Sequence, residues 1–161
     1  MDKSAFLKRV KKEGKLRIRE PSKAMSESYF QKAHNCLQAA KIVYQSNLYE
    51  NAVIDSYYSM YNALLALLFQ TGIKSENHTA SILVLSEWFN EEAIAQRMLR
   101  AKEQRRDKQY YTEQDTQEVI QKEEANQAIL EAEDMTIQLQ VCSNKVSNEF
   151  CMSIKKKFEI L

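Results

Sequence analysis

A short basic stretch at residues 97–108 holds the residue types best suited to binding phosphate. It carries six basic residues against two acidic ones, which gives a net charge of +4. Arginine recognises phosphate oxygens through its bidentate guanidinium group, and clustered basic residues attract nucleic acid by releasing its counterions. The alternative interpretation is a solvated helix face, or one that pairs with the acidic stretch 113–134, whose net charge is −7.

The two histidines are candidates for proton transfer, because imidazole titrates near neutral pH. His78 stands at the predicted start of a helix, where a capping or loop role is the alternative to a catalytic one. His34 lies between the apolar positions Ala33 and Leu37 of a helical pattern, which indicates a boundary or polar-face residue. His78 is therefore the histidine that remains a candidate.

Three tyrosines, Tyr57, Tyr58 and Tyr61, lie within one turn of a predicted helix. Aromatic residues at helical spacing usually pack in a core or between subunits. The alternative is a cleft in which nucleic-acid bases stack on the rings.

Other kinds of site find no support in the sequence. The cysteines Cys36, Cys142 and Cys151 are odd in number and show no close pairing, which argues against a zinc site or a disulfide framework. Nothing in the sequence supplies the nearby base that a catalytic thiol requires. The glutamates lack the Glu-x-x-His pattern of a di-iron bundle, and no glycine-rich phosphate loop occurs. We expect neither a metal nor a cofactor.

The elements that position these residues are predicted to be helices. The chain of 161 residues contains two glycines and one proline, and it is rich in Ala, Leu, Gln, Glu, Lys and Met. Sheets need turns, which are mostly made from Gly, Pro, Asn and Asp, so a multi-stranded fold is nearly excluded. With 44% apolar and 28% charged residues, this length fits a single domain with a buried core.

Apolar residues at spacings of three and four predict a series of helices joined by short connections. We expect a short helix over 2–12 and longer ones over about 22–45, 50–70, 79–89 and 91–109, with a last one beginning near Thr112 or Thr116. The helix over 50–70 is apolar nearly all round, so we expect it in the centre of the bundle or against a second subunit. The predicted fold is an all-α, up-and-down bundle of four to five helices.

The predicted domain covers residues 1–142, with 1–21 as a basic lead-in and 143–161 as a C-terminal helical extension or tail. Residues 1–23 carry a net charge of +6 and residues 145–161 carry +2. No apolar run approaches the roughly 20 residues of a membrane span, and the N-terminus lacks the apolar core of a signal peptide. We expect a reduced, cytoplasmic protein without a membrane partner.

The order of features from Lys12 to about Met135 resembles the HEPN-domain family. KEGKLRI (Lys12–Ile18) is similar to the lead-in of its uncharacterised full-length members, and SYFQKAHNCLQAAKIVYQSNLYENA (Ser28–Ala52) resembles its helix with Ala and Leu at regular spacing. The strongest match is SYYSMYNALLALLFQTGIKSENHTA (Ser56–Ala80), which is similar to the family's run of aromatic and small residues, its glycine and its Lys…His loop.

The resemblance implies a four- or five-helix bundle that forms a symmetric homodimer. Many members are ribonuclease toxins paired with a minimal nucleotidyltransferase antitoxin, and active ones carry an Arg followed, after four to six residues, by a His. The matching segment is RRDKQYY, in which four residues separate Arg105 from Tyr110 and Arg106 from Tyr111, and no His appears. Members with a Tyr after the motif can be silenced by transfer of AMP to that tyrosine, and Tyr110 and Tyr111 are the nearest counterparts.

The missing histidine determines the function that we expect. Arg105 or Arg106 can bind a phosphate, but tyrosine titrates near 10 and is a poor base at neutral pH. We predict a nucleic-acid- or nucleotide-binding protein with weak or absent nuclease activity, in a toxin–antitoxin-like pair with a nucleotidyltransferase. The alternative is an active, metal-independent ribonuclease that uses Arg105 or Arg106 with Tyr110, Tyr111 or His78.

Two further sets of residues complete the predicted sites. The residues expected to contact RNA or a nucleotide are Arg97, Arg100, Lys108 and His78. The residues expected at the homodimer interface are Tyr57, Tyr58, Tyr61, Leu64 and Leu68. A purely interacting antitoxin or scaffold, and a subunit that supplies nucleotide to the transferase, remain open as other functions.

Overall fold

The structure is a computed structural model that describes residues 2–109 and 121–161, without the side chains of residues 106–109. This part of the chain forms seven helices and two short strands. The helices are α1 (Lys3–Lys12), α2 (Lys23–Gln45), α3 (Tyr49–Gln70), α4 (His78–Phe89), α5 (Glu92–Gln109), α6 (Lys122–Asn144) and α7 (Asn148–Ile160). The strands are β1 (Leu16–Ile18) and β2 (Ile73–Ser75).

Helix α3 forms the centre of the bundle. Twelve of its 22 residues are buried, and helices α2, α5 and α6 pack around it. Ala63 and Ala66 have no exposed surface, and such small residues let neighbouring helices approach closely, while Leu64 and Leu67 fill the space between them. The predicted all-α bundle is confirmed, and the nearly uniform apolar character of α3 matches its central position.

Short turns and ion pairs hold the helices around α3. Asn47, in the turn between α2 and α3, adopts the left-handed conformation with a φ of 62°, which asparagine tolerates better than most residues. An ion pair between Lys41 and Glu133 connects α2 with α6. Consecutive helices joined by so short a turn pack as antiparallel neighbours.

The boundaries of the first helices agree with the sequence prediction to within one or two residues. The expected starting points of the last bundle helix, Thr112 and Thr116, lie outside the described residues. Within the described part, α6 begins at Lys122.

Strands β1 and β2 form an antiparallel ribbon that the composition argument did not predict. Leu16 pairs with Ser75, and Ile18 pairs with Ile73. Each strand follows a glycine in the left-handed region, since Gly14 has a φ of 69° and Gly72 a φ of 81°. One glycine per chain reversal is sufficient here, so a chain with only two glycines still forms a ribbon.

Helix α7 packs against its own chain. Ile154 is completely buried, and the Phe158 ring meets the Trp88 ring edge-on with 6.3 Å between centroids. The Lys157 ammonium donates to the Trp88 carbonyl oxygen over 2.9 Å. Residues 148–160 therefore form a helix that lies against α4 and, through Lys11 and Phe158, against α1.

Candidate phosphate-binding site

The tyrosines of α3 form the base of the candidate site. Tyr57 and Tyr61 are stacked with their ring centroids 6.1 Å apart, because residues four apart lie on the same side of a helix. Tyr57 has 1% and Tyr61 has 7% of its surface exposed, whereas Tyr58 is half-buried. The tyrosine cluster is thus mostly core, with one side open at Tyr58.

His78, the first residue of α4, packs directly on this base. Its ring stacks on the Tyr61 ring with 3.7 Å between centroids, and its Nδ1 lies 2.6 Å from the Tyr57 hydroxyl. Asn77 caps α4, its side-chain oxygen accepting from the Ala80 amide over 2.9 Å. The cap and the stacking together fix the position of the imidazole.

The surroundings keep the imidazole neutral. Burial lowers the pKa of His78 to about 4, and the positive charges of Arg105 and Lys102 contribute to this shift. Burial also raises the pKa of Tyr57, so its hydroxyl keeps its proton and shares a hydrogen bond with Nδ1. The neutral imidazole carries one N–H group, which acts as a hydrogen-bond donor at neutral pH.

Two basic residues of α5 reach this cluster. The Arg105 guanidinium donates from Nη1 to the Tyr58 hydroxyl over 3.1 Å, and its central carbon lies 5.2 Å from the centroid of the Tyr57 ring. Lys102, three residues earlier on the same helix, donates from Nζ to the Thr79 hydroxyl over 3.0 Å. Both side chains are half-buried, so they offer positive charge at a partly desolvated place.

The cluster combines an arginine, a lysine and a neutral histidine, all of which are donors. Such a set suits an anion with several oxygens, because guanidinium, ammonium and imidazole N–H groups all donate to phosphate. It is poorly equipped for proton abstraction, since one imidazole nitrogen is held in a hydrogen bond with the Tyr57 hydroxyl and the lowered pKa of His78 makes the ring a weak base. We define the Tyr–His–Arg cluster as Tyr57, Tyr58, Tyr61, His78, Lys102 and Arg105.

The structure brings together Arg105 and His78, which the sequence analysis named for separate reasons. Tyr110 and Tyr111, the expected partners of the arginines, lie outside the described residues. The side chains of Arg106 and Lys108 are likewise outside the described part.

The other predicted RNA contacts differ in their surroundings. Arg97 donates to Glu131 over 2.9 Å and pairs with Asp134 over 2.8 Å, so two acidic residues of α6 balance its charge. Arg100 is exposed on α5. Arg97 is thus engaged in joining α5 to α6, and its contact with RNA stays a prediction.

The predicted dimer interface also needs correction. Leu64 and Leu68 have no exposed surface within a single chain, and Tyr57 has almost none. Side chains enclosed in their own core cannot form a contact with a second subunit. The reason is that α2, α5 and α6 together cover the apolar faces of α3, which the sequence alone left open to a partner.

Lys102 and Thr79 are the members of the site that sequence reasoning missed. Their positions in the sequence are suggestive, because Lys102 precedes Arg105 by one helical turn and Thr79 directly follows His78. These positions do not show that α4 and α5 meet at the two residues.

Three further observations concern other kinds of site and hold for the described residues. No group of three or more His, Cys, Asp or Glu side chains there could hold a metal ion. Burial, together with the Glu91 carboxylate, raises the pKa of Cys142 to about 11, the opposite of what a nucleophilic thiol needs. None of the helices in these ranges has the length and apolar character required to cross a bilayer.

The neutral state of His78 predicts a pH dependence of stability. Between pH 6.5 and 4 the unfolded chain binds a proton at this residue and the folded chain does not, so stability should fall as the pH decreases through this window. After allowance for the partial exposure of the ring, we expect a loss of about 1–2 kcal/mol. Urea denaturation at pH 7 and pH 4.5 measures it in the wild type and in His78→Gln.

The other histidine of the chain provides the control for this measurement. His34 is exposed on α2, and His34→Gln should show the same decrease in stability between pH 7 and pH 4.5 as the wild type. In His78→Gln the decrease should be smaller by about 1–2 kcal/mol. Equal decreases in the two variants would show that the folded protein binds a proton at His78 as readily as the unfolded chain does.

The fold and the cluster together define the class of protein: a helical bundle with a basic, aromatic-lined site between its third, fourth and fifth helices. Residues 26–137, more than two thirds of the chain, match the family model of the HEPN domain. The chain therefore belongs to the HEPN-domain family, which confirms the resemblance seen in the sequence. No curated protein matches the chain. Membership in the HEPN family supports a function related to nucleotides or nucleic acids.

Proposed function

We propose that the protein binds phosphate groups of RNA or of a nucleotide at the Tyr–His–Arg cluster and cleaves RNA weakly or not at all. The observation that carries this proposal is the convergence of Arg105 and Lys102 on the first turn of α4, next to a neutral His78. Arg106, which follows Arg105 directly, and the residues Tyr110 and Tyr111 belong to the same predicted site.

Binding is supported by the kind and the placement of the donors. Arg105 is oriented by the Tyr58 hydroxyl and by the faces of two tyrosine rings, so its guanidinium loses little further freedom when it takes up a phosphate. Lys102 lies one helical turn away and adds a second positive charge. The Tyr58 ring is half-buried, so part of it is open to contact with a base.

Weak cleavage follows from the protonation states of the cluster. A ribonuclease must remove a proton from the ribose 2′-hydroxyl and deliver one to the leaving oxygen. With a pKa of about 4, His78 is protonated in about one molecule in a thousand at pH 7, so it is a poor acid there, and the same low pKa makes it a weak base. Burial raises the pKa of Tyr57 and Tyr61, so neither is a base at neutral pH.

One observation favours the alternative of an active ribonuclease. His78 lies close enough to Arg105 for the positive charge of the arginine to lower the histidine pKa. If bound RNA displaced Tyr57 from Nδ1, His78 could act with Arg105, or Tyr110 and Tyr111 could replace it. A cleavage assay with a chelator present distinguishes the two functions, because this alternative requires chain scission without a metal.

Replacing Arg105 by alanine should raise the Kd for RNA about tenfold or more, because a charge-assisted hydrogen bond to phosphate is lost. Lys122→Ala removes the same charge from an exposed position on α6 and should change Kd by less than about threefold. Fluorescence anisotropy with labelled RNA measures both, and circular dichroism verifies that the variants are folded. Equal Kd values for the wild type and Arg105→Ala would reject the proposed site.

The proposed partners are a second copy of the chain and a nucleotidyltransferase. HEPN domains commonly dimerise, which supports a homodimer, but its surface must differ from Leu64 and Leu68. A toxin–antitoxin-like pairing is the biological setting that we infer from the family. Co-purification with a nucleotidyltransferase encoded beside this chain, and an AMP-sized mass increase at Tyr110 or Tyr111, would support it, and the absence of both would count against it.

A further inference from the structure

The two ends of the described chain, which flank the HEPN-matched residues 26–137, come together on one side of the molecule. The ammonium of Lys11, on α1, donates to the Phe158 carbonyl oxygen of α7 over 2.6 Å and lies 4.4 Å from the centroid of the Phe158 ring. Neither α1 nor α7 belongs to the matched HEPN segment. Their joint surface is therefore a feature of this chain in addition to the family domain.

Both segments are basic, and two surface depressions show that their charges lie side by side. A depression of about 310 Å³ is lined by Lys8 of α1 and Lys157 of α7. Another, of about 180 Å³, is lined by Arg19, which follows β1, and by Lys155 of α7. Lys12 lies one turn from Lys8 on α1, and Lys156 is exposed on α7. We define the flanking basic face as Lys8, Lys12, Arg19, Lys155, Lys156 and Lys157.

The charge of this face is balanced only in part by the neighbouring side chains, since Glu20 is the one acidic residue that lines the smaller depression. None of its six residues forms an ion pair with another residue of the described part. Elsewhere the basic side chains are often paired, as Arg97 is with Asp134 and Lys41 with Glu133. Even Glu87, which borders the larger depression, is engaged by Lys3 over 2.9 Å. The face therefore has a positive potential that a polyanion can neutralise.

We propose that the flanking basic face binds the phosphate backbone of RNA that extends beyond the Tyr–His–Arg cluster. This inference rests on the proposed function, since it concerns a second region of contact for the same ligand. Several unpaired basic side chains on two packed helices suit a ligand with a regularly repeated charge, and phosphate contacts of this kind depend on charge and not on base sequence.

RNA fits this surface better than an anionic membrane does. A helix that lies in a membrane interface must insert a broad apolar face between the lipids. The apolar residues of α7, Phe150, Ile154 and Phe158, face the protein core instead. The exposed side chains of α7 are mostly polar or charged, with Lys155 and Lys156 in its second half, and only Met152 and Ile160 among them are large and apolar.

The test compares two triple variants that lose the same net charge. Lys12→Gln/Lys155→Gln/Lys156→Gln removes charge from the face, and Lys32→Gln/Lys41→Gln/Lys122→Gln removes it from exposed positions on α2 and α6. Each is titrated, beside the wild type and Arg105→Ala, with a labelled oligouridylate of about 20 nucleotides and with a dinucleotide. The titrations are repeated at several salt concentrations, and thermal melts verify folding.

We expect the face variant to bind the long RNA about tenfold or more weakly, with a salt slope smaller by about 2, because a single-strand phosphate contact contributes about 0.7. Its dinucleotide affinity, and both affinities of the control variant, should match the wild type. Equal binding of the long RNA by the two triple variants would overturn the inference while leaving the proposed function intact.

The remaining outcomes are equally decisive. If Arg105→Ala retains wild-type affinity for both ligands, the proposed function fails, whatever the face variant does. A wild-type protein that does not bind the long RNA overturns the inference, and one that binds neither ligand overturns the proposed function as well. Vesicles of phosphatidylcholine and phosphatidylserine complete the set, since loss of vesicle binding in the face variant with unchanged RNA affinity would identify the face as a lipid contact and refute the inference.

Discussion

Replacing Gly72 by alanine should lower the free energy of unfolding by about 2–4 kcal/mol. Gly72 has a φ of 81°, and a Cβ at this position would lie 2.4 Å from the carbonyl oxygen of Arg19. The neighbouring strand cannot move away easily, because the Arg19 amide donates to the Gly72 oxygen over 2.7 Å. Urea denaturation followed by circular dichroism measures the loss.

Gly14 offers a matched control for this substitution. Its φ of 69° is similar, but a Cβ there would meet no atom within 4 Å. Gly14→Ala should therefore lower the free energy of unfolding only by the cost of placing alanine in the left-handed conformation, which is about 1–2 kcal/mol. If both variants lose the same stability, the close approach of Arg19 to Gly72 has no energetic weight.

The second large effect is expected for Leu64→Ala, which should reduce the free energy of unfolding by about 2–5 kcal/mol. Leu64 has no exposed surface and lies in the middle of α3, where three helices converge. Truncation removes buried apolar surface and leaves a cavity that the packed bundle can fill only in part. Chemical denaturation gives the value directly.

Leu130→Ala, on α6, serves as the comparison for Leu64→Ala. Leu130 is 49% exposed, so its truncation should cost less than about 1 kcal/mol. Light scattering on both variants separates a core role from a subunit contact. A folded Leu64→Ala protein with wild-type stability and a halved molecular mass would restore the dimer-interface prediction for this residue.

The helices could be predicted from the sequence because each buries a stripe of residues that recurs every three to four positions. The ribbon could not, since each strand has only three residues and its pairing joins segments more than 50 residues apart in the chain. Alternation over three residues is too short to be distinguished from chance. The packing of α7 could not be predicted either. The spacing of its apolar residues indicates that one face is buried, but it does not show which helix covers that face.

The site was predictable one residue at a time but not as an arrangement. Arg105 and His78 each stood out by residue type and position, yet their proximity depends on how α5 crosses α3 and α4. Arg97 illustrates the limit, because it resembles Arg105 in the sequence and only the packing of α6 reveals that Glu131 and Asp134 balance its charge. The neutral state of His78 likewise results from burial, which residue types alone do not give.

The contact between Lys11 and Phe158 joins residues 147 positions apart in the sequence. During synthesis, α2 and α3 can pair as soon as both have left the ribosome, because a turn of a few residues connects them. Helix α1 is made before α2, and it must wait for α7 before the two can pack against each other. The flanking basic face is therefore completed only after α7 has been translated, and a nascent chain that has reached residue 137 has the HEPN segment without it.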